Sequence, residues 1–118
     1  MTLRNLLTAT LLALLASALL ALPAFAGGKE TFLEQKCTKC HTVKAEAIPA
    51  SEEKEKIIDL SGIGKDYEVA WFKQWLNKEV ERDSKVKTGE KAKHKVKFKG
   101  TPAELDTVAA WLKTLVKK

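Results

Sequence analysis

The chain alternates between apolar segments and strongly polar ones, and the apolar residues recur mostly at helical spacing. This spacing predicts three helices, which run from Gly28 to Cys40, from about Tyr67 to Val80, and from Thr101 towards the carboxyl end. A further short helix is expected at Glu52–Ile58, and the lysine-rich stretch 81–100 is expected to be mostly loop. No segment shows a convincing strand pattern or an internal repeat. The pattern therefore predicts an all-α domain of about three to four helices.

Residue types at the helix ends support these boundaries. Asp66 is expected to cap the second helix, and Thr101, Pro102 and Glu104 form a capping-box sequence at the start of the last one. The apolar stripe of the second helix consists of Trp71, Phe72, Trp75 and Leu76. The expected buried face of the last helix consists of Leu105, Val108, Ala109, Leu112, Leu115 and Val116. Both faces are apolar enough to pack in a core.

Residues 1–26 have the composition of a secretory signal peptide. Arg4 is the only charged residue before a Leu- and Ala-rich segment from Leu6 to Leu22. Pro23 follows, and Ala24-Phe25-Ala26 is an A-x-A cleavage sequence. A retained membrane anchor is the alternative, because the apolar run is slightly long for a signal peptide. Cleavage would leave residues 27–118 as one small exported domain, of a size that often relies on a cofactor for its core.

The two cysteines of the chain lie in the sequence Cys37-Thr38-Lys39-Cys40-His41, which is the C-x-x-C-H pattern of haem c attachment. Two thiols three positions apart fall on one side of a helical turn, so both can form thioethers with the vinyl groups of one haem. His41 is then placed to reach the iron, for which a neutral imidazole is a good ligand. The pattern predicts one covalently attached haem c bound by Cys37, Cys40 and His41.

Three other uses of the cysteine pair compete with this interpretation. A disulfide would suit an oxidising compartment. A thioredoxin-like redox pair requires a βαβ context, which the pattern does not predict. A structural zinc site requires four ligands, and the chain has only two cysteines and two histidines. Export, short length and the histidine directly after Cys40 favour haem.

Together these features resemble the class I cytochromes c over nearly the whole mature chain. Three segments carry the resemblance: the first helix leading into the C-x-x-C-H sequence, the segment Asp59–Gly64, and the last helix with its Trp111-Leu112 pair. The resemblance implies a class I cytochrome c fold wrapped around one haem. It also implies that the first and last helices cross, with Gly28 and either Phe32 or Leu33 in contact with Trp111.

The same resemblance suggests which side chains surround the haem. The segment Asp59–Gly64 lies on the proximal side in the family, so Leu60 and Ile63 are expected to contact the haem there. Tyr67 and Trp71 are the aromatic residues of the second helix expected against it. Phe98 is placed to cover a haem edge. The three tryptophans, at 71, 75 and 111, are expected to be buried rather than to relay electrons.

The sequence departs from the family at the iron ligands. The family's distal Met is missing, since Met1 leaves with the signal peptide. His94 lies in the loop before the last helix, where the family places its distal ligand. We expect His41 and His94 to bind the iron; a lysine ligand and an empty sixth site are the alternatives. The carbonyl of Ile58 or of Pro49 should accept the proximal N–H, in place of the family's proline.

The surroundings of His94 suit a neutral ligand. Lys93 and Lys95 flank it, and two positive charges disfavour its protonated form. A surface histidine in a lysine loop is the simpler alternative. Replacing the family's sulfur ligand by imidazole should also lower the reduction potential relative to a His/Met relative.

The net charge of the chain suggests an acidic partner. There are 21 Lys and Arg against 15 Asp and Glu, a formal net charge of +6. Between residues 85 and 99 seven lysines are offset only by Glu90. If His94 binds iron, these lysines lie near the haem edge and favour an acidic docking surface on a redox partner; a merely solvated loop is the alternative. An anionic membrane surface would also suit this charge as a peripheral partner, whereas nucleic acid is not expected.

The expected function is therefore that of an exported, periplasmic, mono-haem cytochrome. It would be a monomer that carries single electrons between redox partners and would not be an enzyme. One alternative is a haem protein with an open sixth site, which binds a gas or peroxide as a sensor or weak catalyst. A second alternative is a subunit of a larger redox complex.

Overall fold

The computed structural model describes residues 27–54 and 56–117, and the predicted signal peptide lies outside them. The described residues form three α-helices, which are α1 at Gly28–Glu34, α2 at Val69–Leu76 and α3 at Pro102–Lys113. Short 3-10 helices cover Cys37–Lys39, Lys44–Glu46 and Ile63–Lys65. All three predicted major helices are present, although α1 and α2 are shorter than predicted. Within the described ranges, no helix has both the length and the apolar character needed to cross a membrane.

The first helix ends before the cysteines rather than running through them. Gln35 is its C-cap, and Lys36 takes a left-handed conformation with φ of 58°, which ends a regular α-helix. Cys37–Lys39 then form a separate 3-10 turn. The prediction of one continuous helix from Gly28 to Cys40 is therefore wrong in its second half, and the cysteines lie on a tighter turn of their own.

The second helix begins later and ends earlier than predicted. Its N-cap is Glu68, whereas the N–H of Asp66 bonds to the Ile63 carbonyl and closes the preceding 3-10 turn. The prediction that Asp66 caps this helix is therefore wrong. At the other end, Lys78 takes a left-handed conformation with φ of 61° and the backbone closes a Schellman motif. This motif stops α2 before Val80.

Four two-residue strands form, so the prediction that the chain lacks strands is wrong. β1 at His41–Thr42 pairs in parallel with β2 at Ile58–Asp59. β3 at Arg82–Asp83 pairs antiparallel with β4 at Lys91–Ala92. The short helix predicted at Glu52–Ile58 is also wrong, because its described residues are irregular until they enter β2. Strands of two residues are too short to show an alternating pattern in the sequence.

The core lies where α1 and α2 pack on α3. A Cβ on Gly28 would overlap the Cβ of Trp111, so this glycine allows α1 and α3 to cross closely. Phe32 is 2% exposed, and its ring centroid lies 5.2 Å from that of Trp111. Leu33 is 45% exposed. Of the two residues expected to contact Trp111, Phe32 is therefore the one that does.

The last helix begins as predicted and buries most of the predicted face. Thr101 Oγ1 accepts from the Glu104 N–H, and the Glu104 carboxylate accepts from the Thr101 N–H, which confirms the capping box. The buried residues of this region are Leu105, Val108, Ala109, Leu112 and Leu115. Val116 is 49% exposed, so its predicted place on the buried face is wrong, because the helix ends at Lys113 and the chain turns.

Candidate functional site

The two cysteines and His41 lie on one short turn between α1 and β1. Both cysteines are free thiols. Burial raises the pKa of the Cys37 thiol to about 11, so this sulfur remains protonated at neutral pH. The turn therefore presents two reduced thiols and an imidazole within five consecutive residues, which is the donor set that haem c attachment requires.

The pairing of β1 with β2 fixes the orientation of the His41 ring. Ile58 N–H bonds to the Cys40 carbonyl at 3.1 Å, and Leu60 N–H bonds to the Thr42 carbonyl at 2.9 Å. This register places the Ile58 carbonyl 3.2 Å from His41 Nδ1. Because a carbonyl only accepts, Nδ1 carries the proton and Nε2 keeps its lone pair. Of the two predicted acceptors, Ile58 is confirmed rather than Pro49.

Asp59, the residue after Ile58, joins the two loops on this side of the site. Its carboxylate accepts from Lys44 N–H at 3.1 Å, from Ser61 Oγ at 2.8 Å and from Thr42 Oγ1 at 3.4 Å. Although slight burial opposes it, these hydrogen bonds hold the pKa of Asp59 below its ordinary value. The ionised carboxylate therefore stabilises the loop that carries the acceptor of His41.

His94 is half-buried in the loop before α3, and it is held in the same tautomer as His41. Its Nδ1 donates to the Val96 carbonyl, which leaves Nε2 as the free nitrogen. Burial lowers the pKa of His94, and the charge of Lys78 lowers it further. Burial is also the main reason that the pKa of His41 lies below its ordinary value. Both rings are therefore neutral at pH 7, and the cationic neighbour that matters for His94 is Lys78 rather than the flanking lysines.

The carboxyl end of α2 holds the loop that carries His94. Phe98 N–H donates to the Leu76 carbonyl at 2.8 Å, and Lys78 Nζ donates to the Lys95 carbonyl at 3.4 Å. These two bonds lie on either side of Val96 and connect the loop to a helix of the core. The part of the loop that carries His94 is thus positioned by the end of α2.

The rings of His41 and His94 lie nearly parallel to each other at a defined separation. Their centroids lie 6.2 Å apart and their planes differ by 10°. A metal–imidazole bond of about 2.0 Å, the length found for zinc, and about 1.1 Å from that nitrogen to the ring centre would place two such centroids about 6.2 Å apart. The separation of the two ring centroids therefore matches that of two imidazoles bound to one metal ion through their free Nε2 atoms.

Four aromatic rings form a continuous series that ends on His94. Tyr67 stacks on Trp71 at a centroid distance of 3.6 Å, and Trp71 stacks on Trp75 at 5.3 Å. Trp75 meets His94 edge to face at 5.5 Å. The guanidinium of Arg82 lies 5.4 Å from the Tyr67 ring. The sequence pattern predicts Trp75 in the core and does not reveal its contact with His94; its position four residues after Trp71 was the available signal.

The remaining residues expected around a haem lie in two other places. Ile63 is buried and Leu60 is partly buried against the core, both on the turn that follows β2. The Phe98 ring lies so close to Gly100 that a Cβ there would approach it to 2.7 Å. Tyr67 and Trp71 connect to His94 only through Trp75. The contacts of Leu60, Ile63, Tyr67, Trp71 and Phe98 with haem stay predictions.

A helical fold with a C-x-x-C-H turn is the arrangement expected of a protein that binds haem c. The chain belongs to the cytochrome c family, since the family model described as "Cytochrome c" matches residues 25–116. Searches of curated proteins and of solved structures found no match. Membership in this family implies covalently bound haem c with iron. It also implies that the protein is an electron carrier that works with redox partner proteins.

Proposed function

We propose that this protein is an exported cytochrome that carries one electron at a time, with its iron held between His41 and His94. The observation that carries the proposal is the near-parallel pair of imidazoles at a centroid distance of 6.2 Å. Each ring donates from Nδ1 to a backbone carbonyl, which fixes the tautomer and raises the basicity of Nε2. Cys37 and Cys40 would supply the two thioether links.

Bound haem c supplies a one-electron couple between ferric and ferrous iron. The chain would hold the iron with the neutral imidazoles of His41 and His94, and this would leave no open position on the metal for an external ligand. This arrangement favours electron transfer over the gas- or peroxide-binding alternative. Imidazole in place of a sulfur ligand favours a lower potential than that of a His/Met relative with the same burial.

The leader supports export to the periplasm. An apolar segment from Leu6 to Leu22 precedes Pro23 and the sequence Ala24-Phe25-Ala26, which is the order of features in a cleaved signal peptide. Haem c that is covalently attached cannot diffuse away outside the cytoplasm. We propose that the mature chain acts there as a monomer.

Exposed lysines in the segment that carries His94 support an acidic redox partner. We call this the lysine surface; it consists of Lys85, Lys87, Lys91, Lys93, Lys95, Lys97 and Lys99. Two of these side chains pair with carboxylates, Lys87 with Glu90 at 3.9 Å and Lys91 with Asp83 at 2.7 Å. The others form no ion pair within the described residues. This excess of positive charge would steer an acidic partner towards the haem edge and make association dependent on salt.

The test of this function compares wild type with His94→Ala, using Lys95→Ala as the matched control. All three proteins are produced in cells that attach haem c and are then purified for mass spectrometry, optical spectroscopy and electron paramagnetic resonance (EPR). We expect wild type and Lys95→Ala to carry one covalent haem and to be low-spin with two imidazole ligands. His94→Ala should keep the haem, lose the bis-imidazole signal and bind carbon monoxide readily.

Two outcomes would contradict the proposal at different levels. A bis-imidazole signal that survives in His94→Ala would exclude His94 as the distal ligand. A colourless wild-type protein with the mass of the bare polypeptide, from cells with a working attachment system, would exclude haem attachment at Cys37 and Cys40 altogether.

A further inference from the structure

We infer that Trp75 is a positioning residue for the distal ligand, and that its ring fixes the rotation of the His94 imidazole about the metal–nitrogen axis. This inference rests on the proposed His41/His94 ligation and deepens it. It assigns a role to a residue of α2 that neither the C-x-x-C-H sequence nor family membership points to.

The contact between Trp75 and His94 is the first observation. The two ring centroids lie 5.5 Å apart with an interplanar angle of 61°. Apart from His41, Trp75 is the aromatic residue that contacts this ring within the described part of the chain. An edge-to-face contact has a preferred geometry, so it resists rotation of either ring.

The hydrogen bond of His94 cannot set this orientation by itself. Its acceptor, the Val96 carbonyl, lies two residues away in the same irregular loop. That bond fixes the tautomer and orients the ring relative to the loop, but it does not orient the ring relative to the rest of the fold. Trp75 belongs to α2, which packs on α3 in the core. Its contact with His94 therefore orients the imidazole relative to the core.

Trp75 is itself held on more than one side. Trp71 stacks on it at 5.3 Å with an interplanar angle of 12°, and the Arg82 guanidinium lies 5.7 Å from its ring centroid. Tyr67 continues the stack behind Trp71 at 3.6 Å. A side chain whose own rotamer is locked by packing can hold a ligand in a defined orientation.

The end of α2 therefore controls the distal ligand in two separable ways. The Leu76 carbonyl and Lys78 Nζ bond to the backbone of the loop, which fixes where the loop lies. Trp75 contacts the imidazole itself, which fixes how the ring is turned. In the structure, the planes of the His41 and His94 rings differ by 10°.

This angle has a spectroscopic consequence that a purely structural role would not produce. Two nearly parallel imidazole planes on low-spin ferric haem split the iron d orbitals strongly and give a rhombic EPR spectrum with three resolved g-values. Planes turned towards a right angle reduce this splitting and give one large g-value. A change at Trp75 should therefore alter the spectrum while both ligands remain bound.

The experiment records EPR spectra and carbon monoxide binding for haem-loaded wild type, Trp75→Leu, Trp75→Phe and Trp111→Leu. Trp111→Leu is the control, because it also removes a half-buried tryptophan but lies at the α1–α3 crossing, where it packs on Phe32. We expect Trp75→Leu to shift the largest g-value upwards and to let carbon monoxide displace His94 about fivefold faster. Trp75→Phe should give a smaller shift, and Trp111→Leu should lower the melting temperature with a wild-type spectrum.

The outcomes separate this inference from the function on which it rests. A wild-type spectrum without two imidazoles overturns the proposed ligation and the role of Trp75 with it. A bis-imidazole wild type with unchanged g-values in Trp75→Leu overturns only the role of Trp75. If the Trp75→Leu protein does not accumulate with haem, the spectra of Trp75→Phe and Trp71→Leu provide the test instead. Unchanged g-values in both variants would overturn the inference, and shifted g-values would support it.

Discussion

Replacing Gly28 by Ala should destabilise this protein, although alanine is the better helix former. Gly28 is the first residue of α1 and lies at its crossing with α3. A Cβ at this position would overlap the Cβ of Trp111 and lie 2.8 Å from the Thr107 carbonyl oxygen. Neither atom is the end of a flexible side chain, so the two helices would have to separate.

Two opposing effects decide the magnitude. Replacing a glycine inside a helix by alanine stabilises the folded protein by about 0.5–1 kcal/mol. Forcing a methyl group into a packed interface costs about 1–3 kcal/mol, and separation of the helices also weakens the Phe32–Trp111 pair, worth about 0.5–1.5 kcal/mol. We therefore expect a net loss of about 1–3 kcal/mol. For a domain of about 60–100 residues, each kcal/mol corresponds to a fall of about 4–8 °C in melting temperature.

The assay is thermal and guanidinium unfolding of the haem-loaded protein, followed by circular dichroism. Gly27→Ala is the matched control, because a Cβ on this neighbouring glycine would meet Thr107 Cγ2 at an ordinary 3.5 Å. We expect that control to lose less than about 1 kcal/mol, because Gly27 is the N-cap of α1 and alanine is a poorer cap than glycine. A Gly28→Ala protein as stable as wild type would show that α1 and α3 do not cross as closely as described here.

Two further predictions concern the loops around the site. Lys113 Nζ donates to the Gly64 carbonyl at 3.0 Å and the Tyr67 carbonyl at 3.1 Å, so Lys113→Met should cost about 1–2 kcal/mol in guanidinium unfolding. Glu68→Gln should lower the free energy of unfolding by less than about 0.5 kcal/mol, because the Glu68 side chain that pairs with Lys113 is 81% exposed. Equal losses of stability in Lys113→Met and Glu68→Gln would contradict this expectation. The lowered pKa of Asp59 stabilises the fold above the ordinary aspartate pKa of about 3.9, and this contribution is lost as the pH falls through the lowered value. Asp59→Asn should therefore be less stable than wild type in urea at pH 7, and the difference should disappear in acid; a difference that is independent of pH would argue against it.

Much of the chemistry could be read from the sequence, because it depends on residues that are neighbours along the chain. The C-x-x-C-H turn places two thiols and an imidazole together whatever the rest of the chain does. The capping box at Thr101 and Glu104 is equally local, since its partners are three residues apart. The apolar face of α3 was also readable, because the period of a helix relates neighbouring turns. These features needed no knowledge of the tertiary structure.

Other features depended on contacts between residues far apart in sequence. Phe32 and Leu33 are both apolar, and only the angle at which α1 crosses α3 selects Phe32 to meet Trp111. The carbonyl that orients His41 comes from Ile58 because β1 pairs with β2 in one register. Sequence patterns do not encode such pairings, since apolar spacing says which face is buried but not what it is buried against.

What the sequence alone determined, then, was the C-x-x-C-H donor set and the presence of the three main helices, and it offered His94 as the candidate second ligand. Tertiary packing decided how that histidine is held. His94 lies in an irregular loop of lysines, and its parallel orientation to His41 arises from the end of α2, through the Trp75 ring and the backbone bonds of Leu76 and Lys78. Orientation of a side chain is set by the atoms that surround it in space, and here those atoms belong to a different segment of the chain.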